Sequence, residues 1–241
     1  MAGASAERQE TGLVKAINNA VKANGKNPIT LVAGKIKLAG VIGAHKFGGR
    51  QESGSEPYTD VVIELIGNKK VNCSLKGESA PSLAGGGLKG LELAVPGIAA
   101  RFMKAAHKKL SATINAGDKV PDVFGKIAAR DKSKIVIGNK AMGGPIDYMY
   151  IGKMDVSAKY DKTKNILNVN NGELIPAQKY ADTHELFFRL RARREDQRFD
   201  PASKDKNGVP KVYGVSPSRG DSAGRIVVTD KVPSTGVIIN F

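Results

Sequence analysis

The feature that most constrains the fold is a pair of short alternating segments joined by a Gly-Asn-Lys turn. Residues 60–66 and 70–76 are each predicted to form a strand, with the turn at 67–69. Side chains on a strand alternate between its two faces. One face therefore collects the apolar residues Val61, Ile63, Leu65, Val71, Cys73 and Leu75. The opposite face collects Asp60, Ser74 and Lys76, so the pattern predicts a β-hairpin with one buried face and one polar face.

The spacing of the turn also predicts how the two strands pair. A three-residue turn at 67–69 puts Asp60 directly opposite Lys76 and diagonal to Ser74, with Cβ atoms about 5–8 Å apart. A carboxylate is a hard oxygen ligand for Mg²⁺, and a lysine can stabilise charge on an attacked phosphate. The same pair equally describes a cross-strand salt bridge on an exposed sheet face, and the hairpin alone leaves both interpretations open.

The other segments alternate between helical and β-rich patterns. Helices are predicted at 7–24 and 91–115, and 29–41 is ambiguous between strand and helix. Strands are predicted within 132–170, including Ile135-Val136-Ile137, and at 185–191, 226–228 and 237–239, with loops at 43–58 and 200–224. No internal repeat or linker divides the chain. We therefore expect one α/β domain over residues 1–241, with a core at about 7–170 and a basic, β-rich part at about 171–241.

Two features near the hairpin favour a ligand-binding role. Glu10 lies on the apolar stripe of the first helix with Leu13, Val14 and Ile17, where a carboxylate is costly unless it is paired or binds a metal. A first-turn glutamate that complements the helix dipole is the alternative. The Gly-rich segment 77–90 lets the backbone approach a large ligand closely, although such a segment is also typical of a flexible loop.

These features together resemble the PD-(D/E)xK nuclease superfamily. Its pattern is a helix with a glutamate, a strand bearing aspartate, a turn, and a strand bearing acid-x-Lys. Here Thr59-Asp60 is followed by Ser74-Leu75-Lys76, and the segment 187–193 (Phe-Phe-Arg-Leu-Arg-Ala-Arg) is similar to a late, arginine-bearing strand. Apart from that strand, the motifs fall within about residues 7–110, and the resemblance covers the rest of the chain only weakly. The resemblance implies a restriction-endonuclease-like mixed central sheet flanked by helices, to which this chain adds a β-rich C-terminal elaboration.

The resemblance implies a Mg²⁺-dependent DNA endonuclease of phage or restriction type, with Mn²⁺ as a substitute cation. Asp60 would be the principal metal ligand, Lys76 the catalytic lysine and Glu10 the helix carboxylate that completes the metal site. Ser74 stands where the pattern has a second acid, and it would lie behind the metal ligands or hold a metal-bound water. The missing acid is then Glu92 in the following helix, or Glu78, or is absent.

The charge of the chain favours a polyanionic partner. Lys and Arg number 38 against 23 Asp and Glu, a net charge of +15. Two groups of basic residues are candidates for holding DNA phosphates, one on a helix face and one on an alternating strand: Arg101, Lys104 and Lys108, then Arg189, Arg191 and Arg193. Charge that protects an edge strand is the alternative for the second group. A homodimer would suit double-strand cleavage.

A second class of function fits the same composition. A non-catalytic, basic nucleic-acid-binding or structural protein, of virion or ribosomal type, would keep the positive charge without turnover. The single cysteine, Cys73, excludes an internal disulfide and a multi-cysteine zinc site. No apolar run is long enough to span a membrane, and residues 1–9 do not read as a signal peptide. We therefore expect a cytoplasmic protein of a bacterial or phage-infected cell.

Overall fold

Two β-sheets and five α-helices form the part of the chain that the structure describes. The structure is a computed structural model, and it describes residues 4–52, 54, 56–78, 87–114, 122–190 and 226–241. The helices are α1 (Ala4–Ala23), α2 (Gly87–Ala94), α3 (Ile98–Ile114), α4 (Ala129–Ile137) and α5 (Ala177–Thr183). The strands are β1 (Ile29–Ala33), β2 (Ile36–Lys46), β3 (Val61–Leu65), β4 (Lys69–Gly77), β5 (Val123–Lys126), β6 (Tyr148–Gly152), β7 (Ala158–Asp161), β8 (Ile166–Val169), β9 (Gly172–Pro176), β10 (Phe187–Leu190), β11 (Ile226–Thr229) and β12 (Val237–Ile239). The predicted α/β class is confirmed at this level.

The larger sheet has eight strands in the order β7-β8-β1-β2-β3-β4-β6-β9. Its strands pair antiparallel except at β8/β1 and β4/β6, which are parallel, so the sheet is mixed. The smaller sheet has four strands in the order β11-β10-β5-β12. The parallel β4/β6 pair requires a crossover, and the chain between these strands contains α2, α3, β5 and α4.

Helix α1 packs on one face of the larger sheet, as its apolar stripe predicts. Leu13 and Ile17 are almost fully buried, and they share one core with Val61, Ile63 and Cys73 of the hairpin. The ambiguous segment 29–41 folds as the β1–β2 hairpin, which turns at Gly34 with φ +63. The buried apolar face predicted for the 60–76 hairpin is therefore confirmed, and α1 covers it.

The predicted register of that hairpin is wrong by two residues along β4. Val61 pairs with Cys73 and Leu65 with Lys69, so the turn consists of residues 66–68 rather than 67–69. Asp60 consequently lies opposite Ser74, and Lys76 is the diagonal neighbour. Gly67 (φ +72) and Asn68 (φ +57) adopt the left-handed conformations that this tight turn requires.

Three other predicted elements differ in the structure. β2 continues to Lys46, so residues 43–46 are strand and not loop. The helix predicted at 91–115 is two helices, α2 and α3, separated near Pro96-Gly97. Ile135-Val136-Ile137 belong to helix α4 because Ile135 and Val136 are buried against the second core, and that packing outweighs their β propensity.

The second hydrophobic core lies between the other face of the larger sheet, the smaller sheet and helices α2–α5. Phe102 of α3, Ile135 of α4, Met149 of β6 and Phe188 of β10 are all buried in it. The strands predicted at 185–191, 226–228 and 237–239 are found as β10, β11 and β12. Most of the Gly-rich segment 77–90 and the whole loop 200–224 lie outside the described residues. In the described parts, no helix is long and apolar enough to cross a membrane.

Candidate active site

Four elements bring charged side chains together at one end of the larger sheet. Asp60 directly precedes β3, and Ser74 and Lys76 lie on the adjacent end of β4. Lys46 is the last residue of β2 and pairs with Val61, so it is the neighbour of Asp60 on the other side. Glu10 approaches this end from the first turns of α1. Asp60 and Lys76 thus lie together, and Glu10 lies beside Lys46 on the neighbouring strand.

Hydrogen bonds from β4 fix the Asp60 carboxylate. Its Oδ2 accepts from the backbone N–H of Leu75 at 2.6 Å and from Ser74 Oγ at 3.1 Å. The Lys76 ammonium lies 3.8 Å from the same oxygen, and both side chains are about one-fifth exposed (19% and 23%). Oδ1 accepts no hydrogen bond from the described residues. The sheet therefore holds Asp60 through one oxygen, Oδ2.

Glu10 is the second carboxylate of this cluster. Its side chain is only 17% exposed, and its Oε2 lies 3.4 Å from the ammonium of Lys46. Burial and then the negative charge of Asp60 raise the pKa of Glu10, and Lys46 partly offsets them. The negative charge of Asp60 therefore opposes ionisation of Glu10. A cation bound near these carboxylates would favour their charged forms.

The donor set fits Mg²⁺. This ion prefers oxygen ligands and is commonly held by one or two carboxylates, while waters and substrate phosphate complete its octahedron. Within the described residues no group of three or more His, Cys, Asp or Glu side chains could hold a metal ion. If a metal ion binds at this end of the sheet, Asp60 and Glu10 are carboxylates that could hold it.

The other candidate acids lie elsewhere. The carboxylate of Glu92 accepts hydrogen bonds from the backbone N–H groups of Gly97 at 2.6 Å and Ala99 at 2.7 Å. These N–H groups belong to the start of α3, so Glu92 caps that helix and is not brought to Asp60. Glu78 is exposed just beyond the end of β4. Together with burial, its charge raises the pKa of Tyr150 to about 12.

The candidate phosphate-binding residues that the structure describes lie in two different environments. Arg101, Lys104 and Lys108 are all exposed on α3, at spacings that place them along one side of the helix. Arg189 is engaged within the smaller sheet instead. Its Nε and Nη2 donate to Asp122 Oδ2 at 2.9 and 2.6 Å, and its guanidinium lies 5.6 Å from the ring centroid of Phe124. Arg191 and Arg193 lie outside the described residues.

Two residues of this site were not found from the sequence. Lys46 lies in a segment whose glycines and polar residues predict a loop, and only the extension of β2 brings it to Glu10. Gln9 is 1% exposed, and its side-chain amide bonds the backbone of β4 and β6. Its position one helical turn before Leu13, on the stripe that continues to Ile17, was the available signal, because it places a polar side chain in a buried row.

Comparisons of the chain with protein-family models, with curated proteins and with solved structures give no match. Functional inference therefore depends on the site itself.

Proposed function

We propose that this protein is a Mg²⁺-dependent DNA endonuclease with a restriction-endonuclease-like core. The observation that carries the proposal is the contact between Asp60 and Lys76 at one end of the sheet, with the Glu10–Lys46 pair beside it. The order of the elements also supports it: a helix with the glutamate, a strand that begins after the aspartate, and a strand bearing Ser-x-Lys, followed by a crossover to a parallel strand. A pair of carboxylates beside a lysine is suited to phosphodiester hydrolysis.

Each residue of the cluster has a separate role in this proposal. A bound Mg²⁺ supplies a water of lowered pKa and polarises the scissile phosphate. Asp60 and Glu10 would hold the ion. Ser74 and the Leu75 N–H orient Asp60 through Oδ2 and do not contact substrate. Lys76 presents its ammonium to the attacking water and to the charge that develops on the phosphate.

The substrate class follows from charge. A net charge of +15 favours a polyanion, and the exposed basic side of α3 offers cations for the phosphates of DNA. A chain of this charge could also bind nucleic acid without cutting it. The recessed carboxylate pair favours the enzyme, because a phosphate-binding surface alone gains nothing from negative charge at its centre.

The test is cleavage of supercoiled plasmid in the presence of Mg²⁺ or Mn²⁺. We expect the wild type to nick the plasmid, and Asp60→Asn to abolish nicking by removing the ligand charge. Lys76→Met should lower the rate by at least about 100-fold, as loss of one transition-state donor does elsewhere. Mn²⁺ binding without DNA, followed by electron paramagnetic resonance, should weaken in Asp60→Asn and persist in Lys76→Met.

The β7–β8 hairpin supplies a matched control. Asp161 and Lys164 form an exposed ion pair there at 4.0 Å, and Asp161 also accepts backbone hydrogen bonds. Asp161→Asn and Lys164→Met change the same charges and should leave nicking unchanged. A wild type that retards DNA but neither binds Mn²⁺ nor cuts would make the protein a non-catalytic nucleic-acid-binding protein.

A further inference from the structure

Gln9 connects the first turns of α1 to the end of the larger sheet at which Lys76 lies. The two hydrogens of its Nε2 are shared among three backbone carbonyls: Lys76 O at 3.2 Å, Gly152 O at 2.9 Å and Lys153 O at 3.3 Å. The residue is 1% exposed. These carbonyls lie at the ends of β4 and β6, where the strand ladder stops and buried backbone groups need other partners.

The neighbours of Gln9 explain why this contact matters for the site. Gln9 precedes Glu10 in the chain, and one of its acceptors is the carbonyl of Lys76. A single side chain therefore ties the turn of α1 that carries Glu10 to the backbone of the strand that carries Lys76. The Glu10–Lys46 ion pair does not make this connection, because Lys46 lies on β2.

We propose that Gln9 is a positioning residue of the proposed metal site, because it fastens the turn of α1 that carries Glu10 to the ends of β4 and β6. This inference rests on the proposed function. The ligands must be fixed by groups whose own orientation is locked, and loss of such a supporting group elsewhere lowers metal affinity by about 10- to 100-fold. Gln9 meets this description because it is buried and its amide contacts three fixed carbonyls.

The competing explanation is that Gln9 merely fastens α1 to the sheet. The same helix provides a control for it. Asn18 fastens α1 to β2 through two hydrogen bonds of 2.9 Å, Asn18 Nδ2 to Ala44 O and Ala44 N to Asn18 Oδ1. Asn18 lies nine residues along the helix from Gln9, and both of its hydrogen bonds are to Ala44. Loss of either side chain weakens the attachment of α1, but only one is next to Glu10.

The experiment compares Gln9→Met with Asn18→Leu in the full chain. Both are apolar replacements of similar volume, and both remove the hydrogen bonds to the sheet. We expect Gln9→Met to raise the dissociation constant for Mn²⁺ by about 10-fold or more, measured without DNA, and Asn18→Leu to leave it unchanged. Amide hydrogen exchange should accelerate mainly in residues 7–13 of the first variant and in residues 15–22 of the second.

The outcomes separate this inference from the proposed function. Equal weakening in both variants, or no change in Gln9→Met, overturns the positioning role while wild-type Mn²⁺ binding still supports the enzyme. A wild type that does not bind Mn²⁺ overturns the metal site, and the positioning role with it. Because Mn²⁺ binding is measured without turnover, a failure of Lys76 chemistry alone would leave the test of Gln9 intact.

Discussion

The ionised form of the Glu10 side chain is less favourable in the folded chain than in the unfolded chain. Burial and the charge of Asp60 raise its pKa above 4.5, and Lys46 only partly offsets them. Between the ordinary and the raised pKa the folded state binds more protons than the unfolded state, so stability falls as pH rises through this window. Above the window, the cost of the ionised carboxylate is fully present unless a cation is bound.

We therefore predict that Glu10→Gln makes the metal-free protein more stable than the wild type at about pH 7, and that the gain disappears at about pH 4. Urea unfolding at both pH values checks this. The same variant should bind Mn²⁺ more weakly. Glu7→Gln is the comparison, since Glu7 is 69% exposed, also faces Lys46 at 3.9 Å, and raises the pKa of Glu10 least of the causes, so its gain should be smaller. A Glu10→Gln chain that is less stable than the wild type at neutral pH would contradict the prediction.

Cys73 gives a second prediction about a single side chain. It is the one cysteine of the chain, it is 0% exposed, and burial raises the pKa of its thiol. A buried, protonated thiol is a poor nucleophile. We expect a thiol reagent such as 5,5′-dithiobis(2-nitrobenzoate) to label the folded protein only as fast as the hairpin opens. Fast labelling without denaturant, at the rate of the unfolded chain, would show that this core is not closed.

At the scale of elements, Glu92 and Glu10 should have opposite effects when they are replaced. Glu92 caps α3 through the N–H groups of Gly97 and Ala99. We expect Glu92→Ala to lower the free energy of unfolding by about 0.5–2 kcal/mol, as loss of a helix cap does, and to leave Mn²⁺ binding unchanged. Thermal or urea unfolding beside a Mn²⁺ titration measures both. Weakened Mn²⁺ binding in Glu92→Ala would return Glu92 to the metal site.

The hairpin shows what sequence patterns can and cannot predict about an element. Alternation identified the buried face correctly because that face depends only on whether residues are odd or even. Alternation could not choose between registers that differ by two residues, because both registers keep the same residues buried. The turn conformations of Gly67 and Asn68 accompany the observed register, in which the residue opposite Asp60 is Ser74 and not Lys76. The helix at Ile135-Val136-Ile137 was missed for a related reason, since packing against the second core decides it.

At the scale of the molecule, Asp60 lies where the two cores meet. Tyr58 is buried in the core of the smaller sheet, and Val61 is buried in the core beneath α1. The short segment between them is thereby fixed from both sides and carries the carboxylate at its centre. Glu10 could be proposed from its place on an apolar stripe. Lys46 and Gln9 could not be assigned roles, because their contacts join residues far apart in sequence and depend on how β2, β4 and β6 end.

The basic charge of the whole molecule leads to the last prediction. If α3 contacts the DNA backbone, each lysine or arginine that neutralises a phosphate adds about 0.9 to the slope of log K against log salt. Replacing Arg101, Lys104 and Lys108 with alanine should therefore reduce the slope by about 2–3 units. The control removes three exposed lysines from the β7–β8 hairpin, Lys159, Lys162 and Lys164, and lowers the net charge equally. A slope that falls by the same amount in both variants would mean that net charge acts at long range, whereas a fall confined to the first places the DNA along α3.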